Sequence, residues 1–216
     1  MVAHRLEPEI YNFRSLAFFS KAVERVGEES YPIHIKLDTG MHRLGFMEGE
    51  LDMLTETLGE TPSVKVATIF SHLNCSDMPQ EDRYTREQIA RFDRMSGRLA
   101  AALPYPVLRH TANSAAIERF PEAQFDMCRL GLGLYGFGFE HNDELKPAST
   151  LKSRIVQLKH LSAGEAVGYG RAGKLTRDSV TATVPMGYAD GLDRHLGCGR
   201  WSMLVCLLYT SPSPRD

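Results

Sequence analysis

The sequence has 216 residues, 43% of them hydrophobic, enough for one sizeable core or one core plus part of a second. Lys and Arg total 25 against 27 Asp and Glu, so nothing in the charge balance points to nucleic acid or an anionic membrane surface as a partner. No apolar run is long enough to span a bilayer, and the N-terminal MVAHRLEPEIYNF lacks the apolar region of a signal peptide. The four cysteines, Cys75, Cys128, Cys198 and Cys206, have no paired spacing and read as idle thiols.

In chain order, Leu6–Phe13 is a short strand candidate. Arg14–Val26 has Leu16, Phe19, Val23 and Val26 at helical spacing. In Ile33–Asp38, Ile33, Ile35 and Leu37 alternate with His34, Lys36 and Asp38, which predicts a strand with one apolar and one polar face. Thr39-Gly40 stops that strand, and Gly45 allows a second bend. Glu48–Leu58 is a helix with Leu51, Leu54 and Leu58 on one side, and Val64–His72 a strand. Pro79 marks a turn before a long helix, Glu81–Leu103, whose buried stripe is Ile89, Phe92, Met95 and Leu99. Pro106–His110 is a strand, Ser114–Arg119 a short helix and Phe125–Leu130 a strand. This alternation predicts an α/β fold with a parallel sheet closed or wound by helices.

The pattern then changes. From about Leu145 the chain reads as strands and turns, with β candidates at Ser153–His160 and Val180–Met186 around the glycine-rich Gly164–Gly173. The polar run His141-Asn142-Asp143-Glu144 and Pro147 place a domain boundary near 141–147. The expected division is 1–141, 142–206 and a tail, 207–216, whose prolines and serines are not expected to continue a β domain.

A strand with Lys36 and Asp38 on one face needs a polar site to receive them, and the C-terminal ends of barrel strands are such a place. The segment HIKLDTGMHRLGF resembles the lysine/arginine segment of the alanine racemase family. FSHLNCSD, HTANSAA, FDMCRLGLGLYG, VGYG and PMGYADGL resemble further segments of that family in the same order. The resemblance runs from about Leu6 to about Cys206 and implies a partial pyridoxal 5'-phosphate (PLP)-binding (β/α)8 TIM-type barrel, its last five βα units, followed by the start of a C-terminal β domain. It implies a cytoplasmic, homodimeric, PLP-dependent isomerase that interconverts L- and D-alanine by two-base proton abstraction and return, supplying D-alanine for peptidoglycan. A relative of this kind can be fused behind a Mur ligase domain.

The resemblance also assigns roles. Tyr169 matches a catalytic base that acts across the dimer interface, and His72 and Arg129 match the rest of its hydrogen-bonded chain. Arg129 matches the residue facing the pyridine nitrogen, and Arg43 a contact to the cofactor and the substrate carboxylate. Ser114, Asn113, Gly131 and Leu132 match the phosphate cradle, and Tyr188, Asp190 and Asp77 the substrate entrance. Lys36 matches a lysine carried as N6-carboxylysine in many members, whose anion would hold Arg43 in place. His42 stands where many members have a smaller residue and is expected to point to solvent.

Gly131–Gly136 and Gly168–Gly173 both satisfy GxGxxG, but neither is followed by a helical pattern, which argues against a dinucleotide fold. His72 with Cys75 offers two ligands without a second pair, so no metal is expected. No lysine sits in an AVVKANAYGHG-like segment, the family's Schiff-base position. The chain is therefore expected to be a fragment, truncated at both ends, inactive by itself and poorly folded. Two alternatives stay open: a non-catalytic fragment, or another PLP-barrel enzyme such as a serine or broad-specificity racemase.

Overall fold

The computed structural model describes residues 1–197, Arg200 and the backbone of residues 202–205 and 209–212. The chain divides into two compact units, Met1–Ser149 and Thr150 onward.

The first unit is built on four parallel strands in sequential order, β1 (Glu9–Ile10), β2 (Tyr31–Lys36), β3 (Val64–Phe70) and β4 (Leu108–His110). Each step between neighbours passes through a helix: α1 (Phe13–Arg25), α2 (Leu51–Gly59) and α3 (Asp82–Ala102). A fourth helix, α4 (Ser114–Arg119), follows β4. Parallel neighbours need such crossovers, so the strand–helix alternation in the sequence becomes consecutive βα units.

The helices start where the sequence provides caps. Asn12 accepts a hydrogen bond from the Ser15 backbone N–H at 2.7 Å, and the Ser15 hydroxyl accepts one from the Asn12 N–H at 3.2 Å. Asn113 caps α4 by accepting from the Ala116 N–H at 3.0 Å. Leu16, Phe19 and Val23 of α1, Leu51, Leu54 and Leu58 of α2, and Phe92, Met95 and Leu99 of α3 pack on Ile10, Ile33, Ile35, Val64, Val66 and Ile69 of the sheet. Each such fully buried side chain contributes about 1.5–3 kcal/mol. Ile89 joins a smaller cluster under α4 with Leu73, Ala116 and Phe120.

Three expectations are corrected. Val26 is not on the α1 stripe, because the helix ends at Arg25 and leaves Val26 exposed at its cap. Phe125–Leu130 is not a strand. Phe125 takes a left-handed φ of 46°, which turns its ring edge-on to Phe92, and in place of a strand ladder the segment is held by Asp126 N–H to Arg109 C=O, Arg109 N–H to the Asp126 carboxylate and Arg129 N–H to Ala112 C=O. Within the last ten residues, Tyr209–Pro212 (β10) do form a strand, antiparallel to Ser202–Val205 (β9). A two-stranded ribbon has only edges, and Pro212 sits at the end of this one, where a missing N–H is tolerated.

A register change in β3 decides which side chains face the polar side. Ile33 pairs with Val66, but His34 pairs with Thr68, so Ala67 is an extra residue. The bulge reverses the alternation in β3. Val64 and Val66 lie in the core before it and Ile69 after it, while Thr68 and Phe70 join the face carrying His34, Lys36 and His110.

In the second unit, Gln157–Leu161 (β5) pairs antiparallel with Ser179–Thr183 (β8). Ala166–Val167 (β6) pairs with Gly173–Lys174 (β7). The expected strands Ser153–His160 and Val180–Met186 are thus each displaced by a few residues. Cys198, Cys206, Leu207 and Leu208 lie outside the described residues.

Candidate active site

The polar face of the sheet gathers charge at the C-terminal ends of the strands. Arg129 lies in the segment beyond β4, and its guanidinium turns back over those ends. One terminal nitrogen donates to the Ser71 carbonyl at 2.6 Å, to the Thr111 carbonyl at 3.3 Å and to His72 Nδ1 at 3.3 Å. The other donates to His110 Nδ1 and to the His110 carbonyl at 3.4 Å. The guanidinium also lies 5.4 Å from the centre of the Phe70 ring, on which His110 stacks with an interplanar angle of 5°.

An arginine has only donors, so both histidines must accept at Nδ1 and carry any proton on Nε2. Burial lowers the pKa of His72, and the charges of Arg129, Arg43 and Lys36 lower it further. Burial and then Arg129 and His34 push His110 down to about 4. Three cations acting on one imidazole make this end of the sheet a place for an anion.

Lys36 has a partner the sequence did not reveal. Its ammonium is 2.8 Å from a Glu9 carboxylate oxygen and 5.3 Å from the Phe70 ring centre. Glu9 precedes Ile10 in β1 and pairs in register with His34, which sets it beside Lys36 on the neighbouring strand.

Arg43 is exposed on the loop that follows β2. The Asp38 carboxylate shapes that loop, accepting from the Gly40 and His42 N–H groups, each at 3.0 Å, and from His42 Nδ1 at 3.2 Å. The His42 ring is largely exposed but tied down by this contact, at a backbone φ of 53°. Burial would raise the Asp38 pKa. The two N–H groups and the imidazole outweigh burial and hold it below its ordinary value. A depressed carboxylate pKa stabilises the fold above the unfolded value of about 4, and that contribution disappears as pH falls through the folded value. The native chain is therefore expected to exceed an Asp38→Ala variant by about 1–2 kcal/mol at pH 7, with the gap closing below about pH 4. Urea midpoints of both proteins across that range check it.

The third group lies where α4 begins. Ser114 Oγ accepts from the Gly131 N–H at 2.7 Å and the Gly133 N–H at 3.2 Å. The hydroxyl and two backbone donors thus converge on one point, two residues along the chain from Arg129. Leu132 is exposed between the two glycines, and Gly133 is the converging donor that sequence reasoning missed. Asn113 is engaged in structure: its Oδ1 also accepts from the Ser76 hydroxyl at 2.8 Å, and its Nδ2 donates to the Leu73 carbonyl at 3.3 Å. Asp77 is exposed on the same 71–78 loop.

Tyr169, Tyr188 and Asp190 belong to the second unit. Tyr169 sits at the tip between β6 and β7, exposed, among the left-handed residues Gly168, Gly170 and Arg171. Tyr188 starts a short helical turn closed by Asp190 accepting from the Gly187 N–H at 3.0 Å, and Arg194 lies 5.7 Å from its ring centre. Of the expected Tyr169–His72–Arg129 chain, the first unit brings together the last two members. Sequence reasoning missed His110, Thr68, His34, Glu7 and Glu9. The signal for His110 was its position at the end of a strand directly before the Ser114 segment.

Comparison with known proteins gives this site its relatives. The family described as "Alanine racemase, N-terminal domain" matches residues 1–138, and "Alanine racemase, C-terminal domain" matches residues 148–206. An alanine racemase of Sorangium cellulosum is 36% identical over 198 residues, 91% of this chain and 52% of that protein. One from Nitratidesulfovibrio vulgaris is 36% identical over 94% of this chain and 56% of its own length. The chain thus spans about half the length of the curated relatives it matches. Among solved structures, alanine racemase from Streptomyces lavendulae superposes with a TM-score of 0.83 at 30% identity, covering 92% of this chain and 53% of that one. The Bartonella henselae enzyme, described with covalently bound pyridoxal phosphate, gives 0.72 at 27% identity over 90% and 53%. By its sequence, its parallel α/β sheet and these relatives, the chain belongs to the alanine racemase family, whose members depend on PLP.

Proposed function

We propose that this chain is the part of a PLP-dependent alanine racemase that binds the cofactor's phosphate and ring nitrogen and supplies one of the bases by which the whole enzyme interconverts L- and D-alanine. The observation carrying the reading is Arg129, fixed by three carbonyls and two imidazoles, two residues from the point where Ser114, Gly131 and Gly133 converge. That donor set fits the cofactor: a hydroxyl and backbone N–H groups suit a phosphate, and a fixed donor-only cation suits a ring nitrogen. When bound, PLP supplies the electron sink that makes the α-hydrogen of an amino acid acidic.

The chain's own residues do the rest. Ser114, Gly131 and Gly133, with Leu132 between them, would hold the phosphate. With PLP bound, Arg129 would donate to the ring nitrogen without giving up its proton, which would limit charge withdrawal and favour return of the α-proton over side reactions. Arg43 binds the substrate carboxylate, and the cations around His72 attract it. Racemisation needs a base on each face of the α-carbon, and Tyr169 is one of them. His72, its Nδ1 occupied by Arg129, offers an Nε2–H to a phenolate. Tyr188 and Asp77 border the substrate path. Tyr169 acts on the cofactor of a second copy in a homodimer. Cytoplasmic supply of D-alanine for peptidoglycan is the matching role.

Incubating the protein that carries this chain with PLP and L-alanine in D2O tests the reading. The expected result is D-alanine bearing deuterium at the α-carbon, with Tyr169→Phe slowing exchange at least about 100-fold. Deuterium exchange with full retention of configuration, or no exchange at all, overturns it.

Lys36 is part of this reading. The Lys36 ammonium already has an anion beside it, a Glu9 carboxylate oxygen at 2.8 Å. A carbamate there would place two carboxylates side by side, a costly arrangement. The peptide containing Lys36 is expected to keep its unmodified mass in bicarbonate buffer, by mass spectrometry of the gently digested protein. In Glu9→Gln, where the competing charge is gone, carbamylation is expected to rise.

A further inference from the structure

Beneath Arg129 a line of polar side chains runs across β4, β3 and β2 to Glu7, just ahead of β1, and none of it has a role in the proposed reaction. His110 Nε2 is 3.1 Å from Thr68 Oγ1, His34 Nδ1 is 2.9 Å from the same oxygen, and His34 Nε2 is 2.9 Å from a Glu7 carboxylate oxygen. His110 and Thr68 are buried. We propose that Glu7, His34, Thr68 and His110 form a one-way hydrogen-bond relay that positions Arg129, with Thr68 as its hinge.

The direction follows from the two ends. Arg129 has no acceptor atom, so His110 Nδ1 must accept from it, and the imidazole hydrogen must be on Nε2. That hydrogen goes to Thr68 Oγ1. At the other end an ionised Glu7 only accepts, so His34 Nε2 carries a hydrogen toward it. The remaining link is closed by the Thr68 hydroxyl hydrogen, donated to His34 Nδ1. Every hydrogen is then used once and every link has one sense. Were His34 to donate from both nitrogens, Thr68 would accept twice and its own hydrogen would lie buried without an acceptor in the chain.

Charged and titratable groups surround His110. Arg129 and His72 lie above it, and Lys36 and Glu9 lie across the stacked Phe70 ring. His34 and Glu7 lie along the chain. The nearest formal charge is the Arg129 cation, which opposes a second one on His110. Burial and Arg129 accordingly lower the His110 pKa. Thr68 reaches both imidazoles only because the bulge at Ala67 brings it opposite His34. It is a positioning residue: it touches neither cofactor nor substrate and acts through the His110 ring.

The consequence for a ring nitrogen rests on the racemase reading, but the relay does not, and its test uses neither PLP nor alanine. The probe is the protein that carries this chain, labelled with 15N and free of PLP and alanine. Long-range proton–nitrogen spectra report the tautomer of each imidazole. Exchange of the Arg129 guanidinium hydrogens with water reports how firmly it is held. His34 and His110 are both expected as Nε2–H tautomers at pH 7. Thr68→Val is expected to speed Arg129 exchange about tenfold, because the buried His110 Nε2–H loses its acceptor and the ring tilts away. Thr68→Ser is expected to restore the native rate. A proton on His110 Nδ1 at pH 7, or exchange in Thr68→Val within twofold of native, overturns the relay. If Thr68→Val does not fold, the native tautomers decide alone.

Discussion

Replacing Arg129 with leucine is expected to lower stability by on the order of 2–4 kcal/mol, because it strips partners from several buried acceptors at once. The Ser71, Thr111 and His110 carbonyls and the Nδ1 atoms of His72 and His110 all receive hydrogens from this one side chain. Leucine fills part of the volume and satisfies none of them. Arg129→Lys is not a rescue, since an ammonium on a flexible stem cannot serve acceptors on both sides of a planar fork. The pH dependence gives a second signature. Burial first, and Arg129 next, put His110 at about 4 against an ordinary 6.5. Between those values the unfolded chain binds more protons than the folded one, so native stability rises with pH across that window. Arg129→Leu removes one of the two larger causes. Its His110 pKa is expected to rise without returning to the ordinary value, because burial remains, and the stability–pH slope should flatten. Urea midpoints from pH 4 to 7 and an NMR titration of His110 measure both. A variant with native midpoint and native His110 titration would sink the account.

Much of this arrangement could be read before any coordinates. The stripe Leu51, Leu54, Leu58 and the run Phe92, Met95, Leu99 bury as their helical spacing predicts, because α2 and α3 each present one face to one sheet. The alternation of Ile33, Ile35 and Leu37 with His34 and Lys36 also holds, since β2 has one greasy side and one polar one. What failed was every feature set by register or by a single dihedral angle. In Val64–Phe70 the apolar Val64 and Val66 are followed by Ile69 out of phase, a slip the single strand expected over Val64–His72 passes over and the extra residue at Ala67 accounts for. Without that bulge His34 would not meet Thr68. Phe125–Leu130 has strand-like residues, but Phe125 leaves extended geometry to reach Phe92. Lys36 was legible as a site residue and Glu9 was not, because they lie far apart in sequence and meet through parallel pairing of β1 with β2. The motif residues Arg129, His72 and Ser114 were found through resemblance. The shell that orients them is scattered one residue per strand, which leaves no local pattern.

The second large effect is expected at Gly45, where the sequence promised only a bend. Its φ is +130°, a conformation L-residues rarely adopt. A methyl group there would sit 2.6 Å from the Asp38 nitrogen and 2.7 Å from the Leu37 carbonyl carbon. Both are backbone atoms at the end of β2, so no side chain can swing aside. The chain around it is equally fixed. Asp38 N–H donates to the Phe46 carbonyl and Phe46 N–H to the Lys36 carbonyl, each at 2.9 Å. The Phe46 ring is fully buried, edge-on to Phe13 at 5.1 Å. Alanine at 45 must break this pair of bonds or draw Phe46 out of the core, so Gly45→Ala is expected to cost at least about 3 kcal/mol. Asparagine should do no better, since its tolerance is for φ near about +57°, far from this value. The loop that detaches is the one carrying Arg43, so chloride or acetate binding near His72 should weaken along with the urea midpoint. Asp38→Ala disturbs the same loop without the clash and should retain most of the stability that Gly45→Ala loses. If the two variants prove equally stable, the backbone contact at Gly45 is not what fixes the loop, and the Asp38 carboxylate alone is.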